Sequence, residues 1–294
     1  IPKYYKGKYC TELAPQDKYR KMTMSGLTCT NKFEKFVKKI LPLQIPTIYL
    51  EGYDNIPRQI KKMGWPKEPK LIWTSNSYLM DDIFKFWAAK KVENGIPLII
   101  GQHGGHYGQG LFNISEYHEL KICDKFLSWG WHDNKDKIIP LGTVKKPVKK
   151  RKNFLKHFSI LLLISGTSRY SGGMASMPVS SQWLLYFDDQ MEFYKQLPSH
   201  LRDKVTVRFY PHDYKWSQSQ RWKDRFPKSK IDKCEEKFNN AISKIDLFVS
   251  GWNTTTYLET MLSNIPTIIF WEPSYFEIRD DAKYLFKKLK KVKI

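Results

Sequence analysis

Short apolar runs alternate with amphipathic stretches along most of this chain. Residues 45–51, 70–75, 96–101, 126–129 and 138–141 are rich in β-branched and aliphatic side chains, and each run is about the length of a strand. Between them, 55–63 and 81–94 repeat their apolar positions at helical spacing. Asp81 and Asp82 open the second of these helices, where acidic side chains suit the dipole, and Gly95 closes it. A basic stretch at 145–156, carrying Pro147 and few apolar residues, then interrupts the pattern and reads as a linker. Beyond it the alternation restarts, with strands expected at 158–164, 205–210, 247–250 and 267–271. Helices are expected at 182–197, 233–243, 255–264 and 282–290. Strands that read as continuous apolar runs belong to parallel sheets covered on both faces, so the pattern predicts an α/β protein. Two domains are expected, 1–150 and 151–294, with the last helix free to pack back on the first. In such folds ligands bind beyond the carboxyl ends of the strands.

Composition narrows the class. With 294 residues, 41% hydrophobic and 15% aromatic, the chain has a globular composition and not a disordered one. No apolar run approaches the roughly 18 residues of a membrane-spanning helix, and no signal-peptide pattern follows Ile1. The four cysteines, Cys10, Cys29, Cys123 and Cys234, form no C-x-x-C pair, which fits a reducing cytoplasm. Cys123, just before an expected strand, reads as a small buried apolar residue. The formal charge of +21 suits polyanions: nucleic acid, anionic headgroups, acidic glycans or nucleotides. Its lysines are spread along the chain and supply no base recognition, so nucleic acid is not the expected partner.

Three sets of residues carry candidate chemistry. Gly101-Gln102-His103-Gly104-Gly105-His106-Tyr107-Gly108-Gln109-Gly110 follows an expected buried strand directly. Its glycines permit close backbone approach to a ligand, and its histidines can exchange protons near neutral pH. The second is Ser250-Gly251-Trp252-Asn253-Thr254-Thr255-Thr256-Tyr257-Leu258-Glu259, a strand, a small polar loop and a helix. Hydroxyls and helix N-terminal N–H groups delivered to one place suit a phosphate, and Glu259 one turn later suits ribose hydroxyls. Ser165-Gly166-Thr167-Ser168-Arg169 is another polar loop at a strand end. The third set is single groups near strand ends: Glu51, Asp124 and His212. There is no P-loop, no G-x-S-x-G elbow, no H-E-x-x-H helix and no Asp-x-Asp pair. A mechanism without a metal or other cofactor is therefore expected.

Taken together, Tyr49-Leu50-Glu51, Asp82 through Ala88, Gln102 through Gly108, Asp124 through Trp131, Ser250 through Glu259, Phe270-Trp271-Glu272-Pro273 and Glu277-Ile278-Arg279 resemble a family of transferases from bacterial O-antigen and surface-polysaccharide clusters. The resemblance implies a GT-B fold: two Rossmann-like domains with parallel sheets facing each other across a cleft. More distantly the chain is similar to transferases that use CMP-activated ulosonic acids such as Kdo. That likeness implies a glycosyltransferase acting on a bacterial surface glycan. The CMP phosphate would lie against Ser165, Ser250, Asn253, Thr254 and Thr255, with Gly166, Thr167, Arg169 and His212 nearby and Glu259 on the ribose. Asp124 is the implied nucleophile and Glu51 the implied acid/base, with His103 assisting and Gln102, Gly104, Gly105 and His106 completing the cleft. The partners implied are a nucleotide-sugar donor, a glycan or lipid-linked glycan acceptor and an anionic inner-membrane surface on the cytoplasmic side. Transfer of a polyol phosphate from a CDP donor is the alternative on the same architecture. A noncatalytic polyanion-binding module is the alternative from another class.

Overall fold

The computed structural model describes residues 14–22, 24–133, 136–149, 158–170 and 175–292. Contacts divide the chain into two units, residues 1–101 and 102–294. Cys10 and residues 150–156 of the expected linker lie outside the described residues.

In the first unit, helices α1 (Asp17–Met22), α2 (Lys32–Gln44) and α3 (Ile56–Met63) precede strand β1 (Ile72–Thr74). Helices α4 (Ser77–Met80) and α5 (Asp82–Glu93) and strand β2 (Leu98–Gly101) follow. β1 and β2 pair in parallel, Ile72 opposite Leu98. α5 forms where its pattern predicts. The Asp81 carboxylate caps it by accepting from Phe84 N at 2.9 Å, and Ile83, Trp87 and Ala88 are buried. Residues 45–51, expected as a strand, instead make a 3-10 turn at Thr47–Tyr49 and a second at Tyr53–Asn55. Pro46 lacks a ladder donor, and Leu50 N (3.2 Å) and Gly52 N (2.8 Å) both return to Thr47 O, so the backbone closes on itself.

The second unit opens with α6 (Ile114–Ile122), β3 (Lys125–Ser128) and β4 (Ile138–Pro140), the two strands paired in parallel with Phe126 opposite Ile138. It continues through β5 (Ile160–Ile164), α7 (Trp183–Gln196), α8 (Ser199–Arg202), β6 (Val205–Phe209) and α9 (Gln218–Arg225). The last elements are β7 (Lys230–Asp232), α10 (Phe238–Ile242), β8 (Leu247–Ser250), α11 (Thr255–Leu262), β9 (Thr267–Ile269) and α12 (Asp280–Lys291). Strands β5 to β9 form one parallel sheet in the order β7-β6-β5-β8-β9. Its central strand reads Ile-Leu-Leu-Leu-Ile because it is covered on both faces. Ile160, Leu162 and Ile164 pack with Trp183, Phe187 and Trp222, whereas Leu161 packs with Ile242, Phe248 and Tyr257. Trp183 stacks between Phe187 (4.8 Å) and Trp216 (4.6 Å) in this core. The expected α/β class with parallel sheets is what the chain adopts. The expected helix 233–243 shrinks to α10, and α6, α9 and β7 arise where no element was expected.

Candidate functional site

The order of the five-stranded sheet points to a site. The chain runs from β5 to β6 and β7 on one side, then crosses to β8 and β9 on the other. A parallel sheet leaves a crevice at such a reversal, outside the carboxyl ends of the strands. Here a cleft of about 560 Å³ opens beyond β5, β6 and β8, lined by Ser165, Arg208, Tyr210, Lys237 and the run Thr254, Thr255 and Thr256 among others. α11 begins at this cleft, and the Thr254 side chain makes no capping bond to its first turn. First-turn N–H groups left in this way are a ready anion site. The buried Thr256 hydroxyl and the Asn253 side-chain oxygen have no hydrogen-bond partner among the described residues. Arg208 is held by Asp232 at 2.5 Å and by Glu236 O at 2.7 Å, so the charge in the cleft wall is fixed in place.

The glycine-rich loop after β2 is fastened to this same helix end. Gly105 N donates to Thr255 Oγ1 at 2.9 Å. A Cβ on Gly105 would lie 2.4 Å from Thr254 O and 2.6 Å from its carbonyl carbon, so only glycine allows the approach. Gln109 reaches across as well. Its amide donates to Asn253 O at 3.0 Å and its oxygen accepts from Tyr257 OH at 2.9 Å. Gly108, at φ +74°, lies against the Trp131 ring, where a Cβ would come within 2.3 Å. Gln102 shapes the loop's start: its oxygen accepts from Trp129 N and Trp131 Nε1, both at 2.8 Å, and its amide donates to Gly104 O.

A strap from the end of the chain holds the loop's other side. Leu111 N donates to Glu277 O at 2.9 Å and Arg279 N to Gln109 O at 3.0 Å. The Arg279 guanidinium lies over the Trp131 ring and donates to Glu116 at 2.8 Å, while Glu116 also accepts from Gly108 N at 2.9 Å. Glu116 sits on α6, which Asn113 caps. One turn further along the same face, Glu119 is 0% exposed. Tyr107 OH donates to Glu119 Oε1 at 2.6 Å, and His103 Nδ1 stands 3.7 Å from that oxygen. The His103 side chain is 29% exposed. A half-buried imidazole backed by a buried carboxylate is the arrangement that orients a general base.

The other loop histidine is of a different kind. His106 is buried against Gly110, and burial pushes its pKa down to about 4, with Arg279 adding to the shift. The imidazole therefore stays neutral in the folded protein while the unfolded chain takes up a proton near pH 6.5. Between those values the unfolded state binds more protons, so stability falls as pH falls. Wild-type protein is expected to lose about 2 kcal/mol from this group between pH 7.5 and 5. Urea midpoints at the two pH values check it against His106→Gln. Equal pH dependence in both proteins would rule the effect out.

The remaining candidates from the sequence are placed as follows. Ser250 is buried and spends its hydroxyl on Trp252, donating to O at 3.2 Å and accepting from N at 3.1 Å, so it shapes the loop. Glu259 pairs with Lys145 at 2.8 Å. Ser165 N donates to Tyr186 OH at 3.0 Å, and Thr167 O accepts from Trp216 Nε1 at 2.8 Å. Gly166 lies against Tyr210, Arg169 donates to Lys215 O, and His212 meets Tyr214 edge to face at 4.5 Å. Asp124 is exposed at the start of β3, whereas Trp129, bound by Gln102, lies past its end, about 16 Å away at five residue steps. Asp124 follows directly on α6, whose end is closed by Cys123 N donating to Glu119 O at 3.1 Å. Glu51 lies in the first unit with its side chain 1% exposed. Its carboxylate takes Arg20 Nε at 2.9 Å, Arg20 Nη2 at 3.1 Å and Gln16 N at 2.8 Å. Arg20, with Gln16 assisting, holds the Glu51 pKa down to about 2. Cys123 is buried and its pKa is pushed up to about 11, in keeping with an apolar role. Tyr107, Gln109, Glu116, Glu119, Arg208 and Thr256 were not among the expected site residues. For the two glutamates the one available signal was their i, i+3 spacing directly after the glycine loop.

No curated protein matches the chain by sequence. Among solved structures it is similar to MurG from Acinetobacter baumannii, at 12% identity and TM-score 0.41 over 80% of this chain and 61% of that one. It is also similar to a Listeria monocytogenes protein described as a UDP-N-acetylglucosamine 2-epimerase, at 10% identity and TM-score 0.42 over 74% and 61%. A Staphylococcus aureus TarM variant solved with fondaparinux, α-GlcNAc-glycerol and UDP matches at 12% identity and TM-score 0.38 over 64% and 41%. The chain thus spans about three fifths of the length of the first two structures it matches. A family model covers every residue from 1 to 294, and by that match the chain belongs to the LIC12162 family of transferases.

Proposed function

We propose that this transferase is a GT-B glycosyltransferase that moves a sugar from a nucleotide donor, a CMP-activated ulosonic acid, onto a bacterial surface glycan without a metal. The observation that carries the reading is the joining of the two polar loops: Gly105 N meets Thr255 Oγ1 at 2.9 Å at the start of α11. The donor phosphate sits on the first-turn N–H groups of α11, helped by the hydroxyls of Thr254, Thr255 and Thr256 and by Ser165. The nucleoside extends into the cleft beyond β5 and β6, and its ribose shares the Glu259 carboxylate with Lys145. The sugar faces the glycine loop and His103.

In this scheme the acceptor hydroxyl attacks the anomeric carbon as the bond to the donor phosphate oxygen breaks. His103 takes the hydroxyl proton, and the nucleotide leaves with the bonding electrons, its new charge held by the α11 N-terminus. Glu119 and Tyr107 orient the imidazole and touch no substrate. Asp124, exposed at the start of β3, is given no role in this scheme. The basic surface draws in an acidic donor, an acidic glycan and the anionic inner face of a membrane.

Calorimetric titration with CMP, CDP, UDP and GDP in EDTA tests the donor. Micromolar CMP binding is expected, weakened about tenfold by Thr255→Val, which removes the oxygen that accepts from Gly105 N. Selective UDP or GDP binding would replace the donor assignment. Failure of every nucleotide, with salt-sensitive binding to nucleic acid instead, would overturn the glycosyltransferase reading.

A further inference from the structure

Among the described residues, helix α2 runs for 13 residues and none of them is buried. At 100° per residue, Phe33, Phe36, Val37, Ile40, Leu41 and Leu43 share one face, and Lys35, Lys38 and Lys39 lie on the other. Such a face ordinarily builds a core. Here Phe33 is 73%, Phe36 56% and Leu43 72% exposed. The helix is nevertheless well made: the Asn31 side chain caps Glu34 N at 2.9 Å, and Glu34 reaches back to Thr30 N at 2.6 Å. Its far end is fastened by the buried Arg20, which donates to Pro42 O and to Ile45 O while Glu51 holds the guanidinium. A firmly capped and anchored helix therefore presents Phe33, Phe36 and Leu43 exposed along its apolar face, with no cover among the described residues.

The charges decide what covers it. Within α2, Lys32, Lys35 and Lys39 stand against Glu34 alone, which is spent on Thr30, while Lys38 donates to Leu27 O. A second copy packed face to face would bring Lys32 and Lys39, which border that face, toward their counterparts. An anionic bilayer instead accepts the phenylalanines among its acyl chains and the lysines among its headgroups. We infer that α2 is a membrane-docking helix, lying in the plane of an anionic phospholipid surface with Phe33, Phe36 and Leu43 inserted. This deepens the membrane side of the proposed function and rests on that part of it alone; Glu51 serves it by fixing the end of the helix.

Sedimentation of the full chain with vesicles tests the assignment. The wild type is expected to bind phosphatidylcholine–phosphatidylglycerol vesicles at low salt and to leave pure phosphatidylcholine vesicles in solution. Phe33→Ser with Phe36→Ser, and separately Lys35→Gln with Lys39→Gln, should each weaken partitioning at least about tenfold. Circular dichroism and CMP titration of each variant establish that it is folded; because CMP binding does not involve α2, its survival separates failure here from failure of the donor assignment. Sedimentation that is absent in the wild type, or unchanged in both folded variants, overturns the inference. So does a dimer in solution that the phenylalanine variant dissociates, since a second copy would then be the occupant.

Discussion

Gly105→Ala is expected to disconnect the glycine loop from α11 while leaving the five-stranded sheet folded. The new methyl group would lie 2.4 Å from Thr254 O, 2.6 Å from its carbonyl carbon and 2.8 Å from Thr255 Cα. All three are backbone atoms at a helix start, so no side-chain rotation relieves the clash. Overpacking of this kind costs about 3 kcal/mol, which read as lost nucleotide affinity is roughly a hundredfold. Gly104→Ala is the control, because its nearest neighbours are side-chain atoms at 3.7 and 3.8 Å, ordinary contact. Calorimetry with the preferred nucleotide, beside thermal melts of both variants, separates the two. Equal affinities in the two variants would show that the joined loops do not form the donor site.

His103→Ala is expected to lower kcat by about 10² to 10⁴, the usual worth of a positioned general base, with nucleotide affinity unchanged. Glu119→Gln keeps the volume at that position but replaces the carboxylate behind the imidazole with an amide. A fall in kcat with KM preserved, together with a changed pH–rate profile, is the outcome expected of a residue that acts through His103. Tyr107→Phe should give a smaller loss in the same direction, since it removes the hydroxyl that donates to Glu119 and meets His103 Nδ1 at 3.3 Å. If His103→Ala retains full kcat with saturating donor and acceptor, the base lies elsewhere.

The class of the fold was legible because its physical cause is local. A strand such as β5, apolar at every position, has no polar face to show to water, and helices alternating with such strands leave a parallel sheet as the arrangement that buries them. Both loops of the candidate site were legible for a similar reason. Glycines and small hydroxyl residues placed directly after apolar runs mark backbone that must turn sharply and approach something closely. Membership of a transferase family agrees with the enzyme those loops suggested.

Reading failed where the answer depends on distant partners. The run 45–51 has strand-forming composition, yet Pro46 and the return of Gly52 N to Thr47 O fold it into turns. Glu51 looked like a free acid at a strand end and is instead paired with Arg20, a partnership that residue types alone do not reveal. Asp124 lies near an apolar run, and only the direction of β3 tells that it is at the end away from Trp129. Glu119 would pass for a solvated helix residue, because the side of α6 that turns inward is set by what packs on it. The sequence by itself determined the strands other than β7, their parallel class and the two polar loops of the candidate site, since these follow from hydrophobic spacing and backbone freedom. The tertiary structure decided that those loops meet, which carboxylates are spent on ion pairs, which one stands behind His103, and that Phe33, Phe36 and Leu43 of α2 are exposed. Those outcomes depend on burial and on contacts between residues far apart in the chain, which no local pattern encodes.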